Sequence, residues 1–280
     1  MLDREEYIEQ AYFFRILVER LRENVPLQEL LSILQEEVLS TTKLPLAIDY
    51  LLSELKHSGC FGPAMARLGH YFSRFQTYVV TAAEDERGRF DMRVALQVLQ
   101  HLAEYLAKSP SRQGVFLYQF EVLCRNRLGY DEGLGAMADD PVYDGDWSEW
   151  IRLLRRQIGI VGLAELIFVR SDHYLEQRSR YEGATVAPEK PILFAGKEGK
   201  IAIANRQKDP LLLFAALQRQ LGYPQIPRPA PRDSAPELLP QLARRMERME
   251  SRLKLLEDEQ KGGIDIRQFY QREGPPPTMD

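Results

Sequence analysis

The chain has 280 residues, 44% hydrophobic and 28% charged, with a net charge of −4. That is the composition of a globular protein with a real core, in one large domain or two small ones. The acidic balance counts against general nucleic-acid binding, which needs a surplus of Lys and Arg to neutralise phosphates.

Residues 3–22 carry Tyr7, Ala11, Phe14, Leu17, Val18 and Leu21 at three- and four-residue steps, with Arg and Glu between them. This spacing predicts an amphipathic helix. Pro26 suits the first turn of a second helix reaching about Ser40. Pro45 suits that of a third, which Gly59 stops. Helical patterns follow at about 63–87, 91–108, 112–128, 130–139, 146–158 and 161–181, with Asp91 as an N-cap and Gly129 as a C-cap. No alternating strand pattern precedes residue 190, so residues 1–186 are expected to form one all-α helical domain.

Residues 191–205, PILFAGKEGKIAIAN, set two glycines and two lysines between short apolar runs. A phosphate-binding loop needs four residues between its glycines, then Lys and Ser/Thr. Here only Lys197 and Glu198 intervene, and Ile201 stands where the hydroxyl belongs. Ile201 and Ile203 alternate with Ala202 and Ala204. The expectation is a β-hairpin of 192–195 and 200–204 turning through Gly196–Gly199. A helix follows, capped by Asp209 and ended by Gly222, apolar almost all round. Hairpin and helix make up 187–223, packed on the first domain.

Residues 224–236 hold five prolines and read as an extended linker. After it, Leu239, Leu242, Met246, Met249, Leu253 and Leu256 step by three and four, a heptad seam within 237–261. In a parallel pair, Arg245 faces Glu250 and Arg252 faces Glu257 of the other chain. An antiparallel pair would set like charges together. The expectation is therefore self-association as a parallel dimer. The tail, 262–280, reads as disordered. The fold class is mainly α: a multi-helix bundle with a small β-hairpin, then a C-terminal coiled-coil helix.

The cysteines, Cys60 and Cys124, form neither a disulfide framework nor a zinc pair. Glu54 and His57 have the Glu-x-x-His spacing of di-iron bundles, but none of the other three histidines repeats it. Aligning Gly145 with the EF-hand glycine places Asp140 and Asp144 at ligand positions, yet Val142 and Ile151 occupy two others. Asp144 or Asp146 suits a helix cap better. The sequence therefore assigns no catalytic, cofactor-binding or metal residue and no cofactor. The acidic N-terminus lacks a signal-peptide pattern, and the longest apolar runs are too short to span a bilayer. The reading is cytoplasmic, with no membrane contact.

Four stretches carry a resemblance: Asp3-Arg4-Glu5-Glu6-Tyr7-Ile8-Glu9-Gln10-Ala11-Tyr12-Phe13-Phe14-Arg15, Ser40-Thr41-Thr42-Lys43-Leu44-Pro45, Cys124-Arg125-Asn126-Arg127-Leu128-Gly129-Tyr130, and Ala204-Asn205-Arg206 with Lys208-Asp209-Pro210. Over nearly its whole length the chain resembles an uncharacterised family of bacterial proteins with no assigned activity. The resemblance implies a bacterial, cytosolic setting and adds no site residues. The functional expectation is a non-catalytic helical interaction or scaffold protein that oligomerises through its coiled coil and binds a protein partner. The alternative is an enzyme or small-molecule binder whose site lies between helices and draws on Glu54, His57, His70, His101 and tyrosines.

Overall fold

The computed structural model describes residues 1–21, 26–85, 90–183, 187–228 and Met249. Among them thirteen helices form and no strand. They are α1 (Arg4–Leu21), α2 (Leu27–Glu37), α3 (Leu44–Ser58), α4 (Phe61–Arg67), α5 (Arg74–Glu84), α6 (Met92–Leu106) and α7 (Arg112–Asn126). The chain continues through α8 (Tyr130–Ala138), α9 (Gly145–Gln157), α10 (Leu163–Phe168), α11 (Asp172–Glu182), α12 (Gly196–Ala204) and α13 (Pro210–Leu221). Residues Met1–Pro229 make one unit and Ala230–Asp280 a second. The heptad seam lies outside the described residues, save Met249, which is helical and exposed. So do the tail and residues 229–236 of the expected linker.

The apolar stripe of α1 buries Phe13, Phe14 and Leu17 completely. Its main partner is α6, whose Val98, Leu99 and Leu102 are buried in turn. The loop between α2 and α3 hangs from the polar side of α1. Glu9 accepts from the Leu39 N–H at 3.1 Å and Glu6 from the Lys43 N–H at 2.9 Å. Glu6 thus satisfies a backbone donor at the start of α3, where no side-chain cap exists. The start of α4 is treated in the same way, since Glu84 at the end of α5 accepts from the Phe61 and Gly62 N–H groups.

The caps read from sequence hold at five places. Asp91, Asp144 and Asp209 accept from the Arg93, Trp147 and Leu211 N–H groups. Gly59 and Gly222 end their helices in the left-handed region, at φ 72° and 67°. Gly129 is a correction. α7 ends on Arg127, itself left-handed at φ 55°, and Gly129 begins α8. The pattern at 63–87 divides into α4 and α5 at Ser73, whose hydroxyl and the Gln76 side chain form a reciprocal capping box. The pattern at 161–181 divides at Ser171, the N-cap of α11.

The expected hairpin is overturned: Gly196–Ala204 is helix α12. Residues 191–195 are extended, but their partner is the start of α11. The Leu193 and Phe194 N–H groups donate to Arg170 O, the Asp172 N–H donates to Phe194 O, and Ser171 bridges Phe194 in parallel. Two tertiary demands outweigh the alternation of Ile201 and Ile203. Phe194 is drawn into a cluster with Phe116, Trp147 and Trp150 at centroid distances of 5.3–6.3 Å. Helical geometry then brings Gly199 against Ser171 and buries Ala202 completely.

The first residues of the proline-rich segment belong to the domain. Tyr223 and Ile226 are buried. The Tyr223 hydroxyl bonds Glu121 at 2.8 Å, and His101 Nδ1 donates to Gln225 O at 3.2 Å. A carbonyl only accepts, so that imidazole nitrogen carries the proton.

Candidate functional site

Two concavities stand out, and both border α1. The larger, about 490 Å³, lies between α1 and the C-terminal end of α6. Arg4, Ile8, Ala11, Tyr12 and Arg15 recur at three- and four-residue steps, so they share one face of α1. Ala107 and Ala11 are small where larger side chains would fill the space, which leaves a groove. Arg15 stacks over the Tyr12 ring at 5.3 Å, and the Tyr12 hydroxyl donates to Glu37. Burial, with Glu37 beside it, raises the Tyr12 pKa.

Arg4, Arg15 and Lys108 line this groove, and none of them forms an ion pair among the described residues. Glu9 and Glu104 line it too, Glu9 accepting from the Leu39 N–H and Glu104 from Gln100; both donors are neutral, so three cations against two acids leave the lining with one net positive charge. Eleven residues separate Arg4 from Arg15, or about 16 Å along a helix. Such a spread suits an elongated acidic occupant rather than one compact anion.

The smaller concavity, about 230 Å³, lies where residues before α1, the turn ahead of α5 and the loop after α8 meet. A chain of buried polar groups runs beside it. Gln76 donates to Gln10 at 2.9 Å, and Gln10 donates to Tyr71 O at 3.2 Å. Gln76 Oε1 accepts from the Ser73 N–H, and the Ser73 hydroxyl bonds Asp140. Asp140 also accepts from the Val142 N–H at 3.1 Å and from Gln119 at 3.3 Å, while Tyr143 donates to Gln119 at 2.7 Å. Burial pushes the Asp140 carboxyl up, and its three donors pull the other way.

Of the residues singled out for chemistry in the sequence, His70, Asp140 and the tyrosines Tyr7 and Tyr71 border the smaller concavity, whereas Glu54, His57 and His101 border neither. Glu54 pairs with Arg67 at 2.5 Å, His57 is exposed on the last turn of α3, and His101 is held by Gln225. Among the described residues no three His, Cys, Asp or Glu side chains converge as metal ligands would. Burial pushes the Cys124 thiol up to about 11, so at neutral pH it is protonated and unreactive. Trp147 and Trp150 are core, and Asp144 caps α9. The residues that sequence reading missed are Gln10, Gln76 and Gln119. Their signal was polarity without charge inside apolar helical runs.

No family model matches the chain, and no curated protein or solved structure does either. Among the described residues no helix is long and apolar enough to cross a membrane.

Proposed function

We propose that the protein is a non-catalytic helical interaction protein. Its α1–α6 groove receives an acidic amphipathic helix from a partner protein, and it self-associates as a parallel dimer through the seam from Leu239 to Leu256. The groove carries the reading: an alanine-floored channel about three helical turns long, bordered by Glu9, Glu104 and three cations that form no ion pair among the described residues. A helix with small apolar residues along one face and Glu on its flanks matches that channel in length and charge.

A fluorescein-labelled peptide of that design, titrated into the full chain and read by anisotropy, tests it. Binding should weaken with added salt. It should fall at least about tenfold in the double variant Arg15→Glu with Lys108→Glu. Ala107→Phe should abolish it by filling the groove, and Ala107 is half-buried, so the larger ring does not enter the core. A peptide that ignores the wild type, or binds all three proteins alike, defeats the groove reading. Sedimentation of wild type against Leu253→Asp tests the seam separately, and a dimer unmoved by that substitution defeats it.

The second concavity favours a second reading, a small-molecule binder. Its buried Asp140, with Tyr7 and Tyr71 on the same wall, is the observation that supports it.

A further inference from the structure

The 230 Å³ cavity has aromatic walls and one buried acid. Tyr7, Tyr71, Phe72 and Asp140 line it, each buried, and His70 stands exposed at its edge. A liquid water occupies about 30 Å³, so the space corresponds to about eight waters, below the size of drug-like sites.

The side-chain charge in this region is mainly negative. Asp140 is held by a hydroxyl, an amide and a backbone N–H, all neutral donors. Burial raises its pKa, and the three donors offset part of that by favouring the ionised form. No Lys, Arg or His forms an ion pair with it among the described residues, and the positive charge felt there is the Met1 amino group. Glu6 and Glu9, buried on α1, likewise accept from backbone N–H groups rather than from cations. The Tyr71 hydroxyl lies in the field of the Glu6 carboxylate, yet among the described residues neither it nor Glu6 Oε2 has a partner in hydrogen-bond geometry. Burial first, and Glu6 second, push that phenol far up.

A buried carboxylate without a side-chain counter-ion repels anions and attracts cations more strongly than it would in water. Aromatic faces add to this, because their negative quadrupoles attract a desolvated ammonium. We infer that the cavity is a binding site for a small organic cation, a primary amine or quaternary ammonium of up to about eight non-hydrogen atoms, with Asp140 as its counter-ion. The inference rests on the small-molecule reading above and is independent of the groove. Cation binding also stabilises the ionised Asp140, so protons and ligand compete.

Choline and its uncharged isostere 3,3-dimethyl-1-butanol, titrated into the full chain by calorimetry, separate charge from shape. Choline should bind at least about tenfold more tightly, the scale expected for a desolvated cation on aromatic faces. Its binding should weaken as the pH is lowered and Asp140 takes up a proton. Asp140→Asn should erase the preference. The isostere comparison and the pH series use the wild type, so they stand even if that variant folds poorly. Equal binding of the two probes overturns the cation site while leaving a small-molecule site in place. Binding of neither overturns both. A preference that survives in a folded Asp140→Asn protein overturns the role of Asp140.

Discussion

α7 buries ten of its fifteen residues, polar Gln119 and Glu121 among them, whereas α12 buries three of nine. Around α7 the polar groups are matched. Gln119 bonds Asp140 and Tyr143, and Glu121 pairs with Arg125 and accepts from the Tyr223 hydroxyl. α12 has no side-chain N-cap and is located by Gly199, whose missing Cβ leaves room for Ser171. A helix packed all round announces itself through composition. A helix positioned by one close approach does not, because glycine reads equally well as a turn residue.

The comparison breaks most visibly at Phe116. Its ring lies 4.8 Å from Trp150 and 5.7 Å from Trp147, and it also meets Phe120 and Phe194. Phe116→Ala should cost about 3–5 kcal/mol, as lost burial and a cavity combine. Denaturant unfolding measures it. A loss below about 1 kcal/mol would mean that the two tryptophans and Phe194 close the space, and that α7 is not the fixed centre described.

The two glycines of α12 sharpen the contrast at a smaller scale. A Cβ on Gly199 would lie 2.2 Å from Ser171 Oγ and 2.6 Å from Ser171 Cβ. Ser171 is fully buried and caps α11, so it has nowhere to go. Gly199→Val should therefore cost about 1–3 kcal/mol through overpacking. At Gly196 the nearest atom is Glu176 Oε1 at 3.9 Å, and Gly196→Ala should change stability by less than about 0.5 kcal/mol. A hairpin turn would make both glycines sensitive for their backbone. Equal responses from the two variants would revive that alternative.

Legibility followed range. Asp91, Asp144 and Asp209 act within three residues of themselves, and the sequence displays such caps directly. The Ser73 capping box was equally local and equally readable, but a continuous apolar pattern masked it. Gly129 misled because Arg127 took the left-handed position two residues earlier. The cavity was not legible. Tyr7, Tyr71 and Asp140 come from three distant parts of the chain, and the acids around Asp140 read as a turn. The groove was hidden for a different reason: its shape depends on Ala11 and Ala107 being small, and small residues leave no signature of the space beside them.

The smallest effect belongs to the polar side of α7, where Gln119 meets Asp140. The groups facing that carboxyl are Gln119, the Val142 N–H, the Ser73 hydroxyl and the Met1 amino group, with the Tyr7 phenol nearby. Burial dominates, so the folded pKa lies above the unfolded value of about 3.9. Between those two values the folded chain holds more protons than the unfolded one. Its stability from this group must then fall as the pH rises through the window, and stay at the lower level above it. This is opposite in sign to a carboxylate in a salt bridge. Asp140→Asn removes the titration and keeps an acceptor for the Val142 N–H, provided that Gln119 turns its amide to present oxygen to the new NH₂ group. The Tyr143 hydroxyl can follow by accepting instead of donating. Subtracting the variant's unfolding free energy from the wild type's at each pH cancels the other carboxylates common to both. The difference should favour the wild type most at the acid end and decline towards neutral pH. A difference that instead grows with pH would mean that the three donors outweigh burial, and that Asp140 is a stabilised carboxylate rather than a strained one.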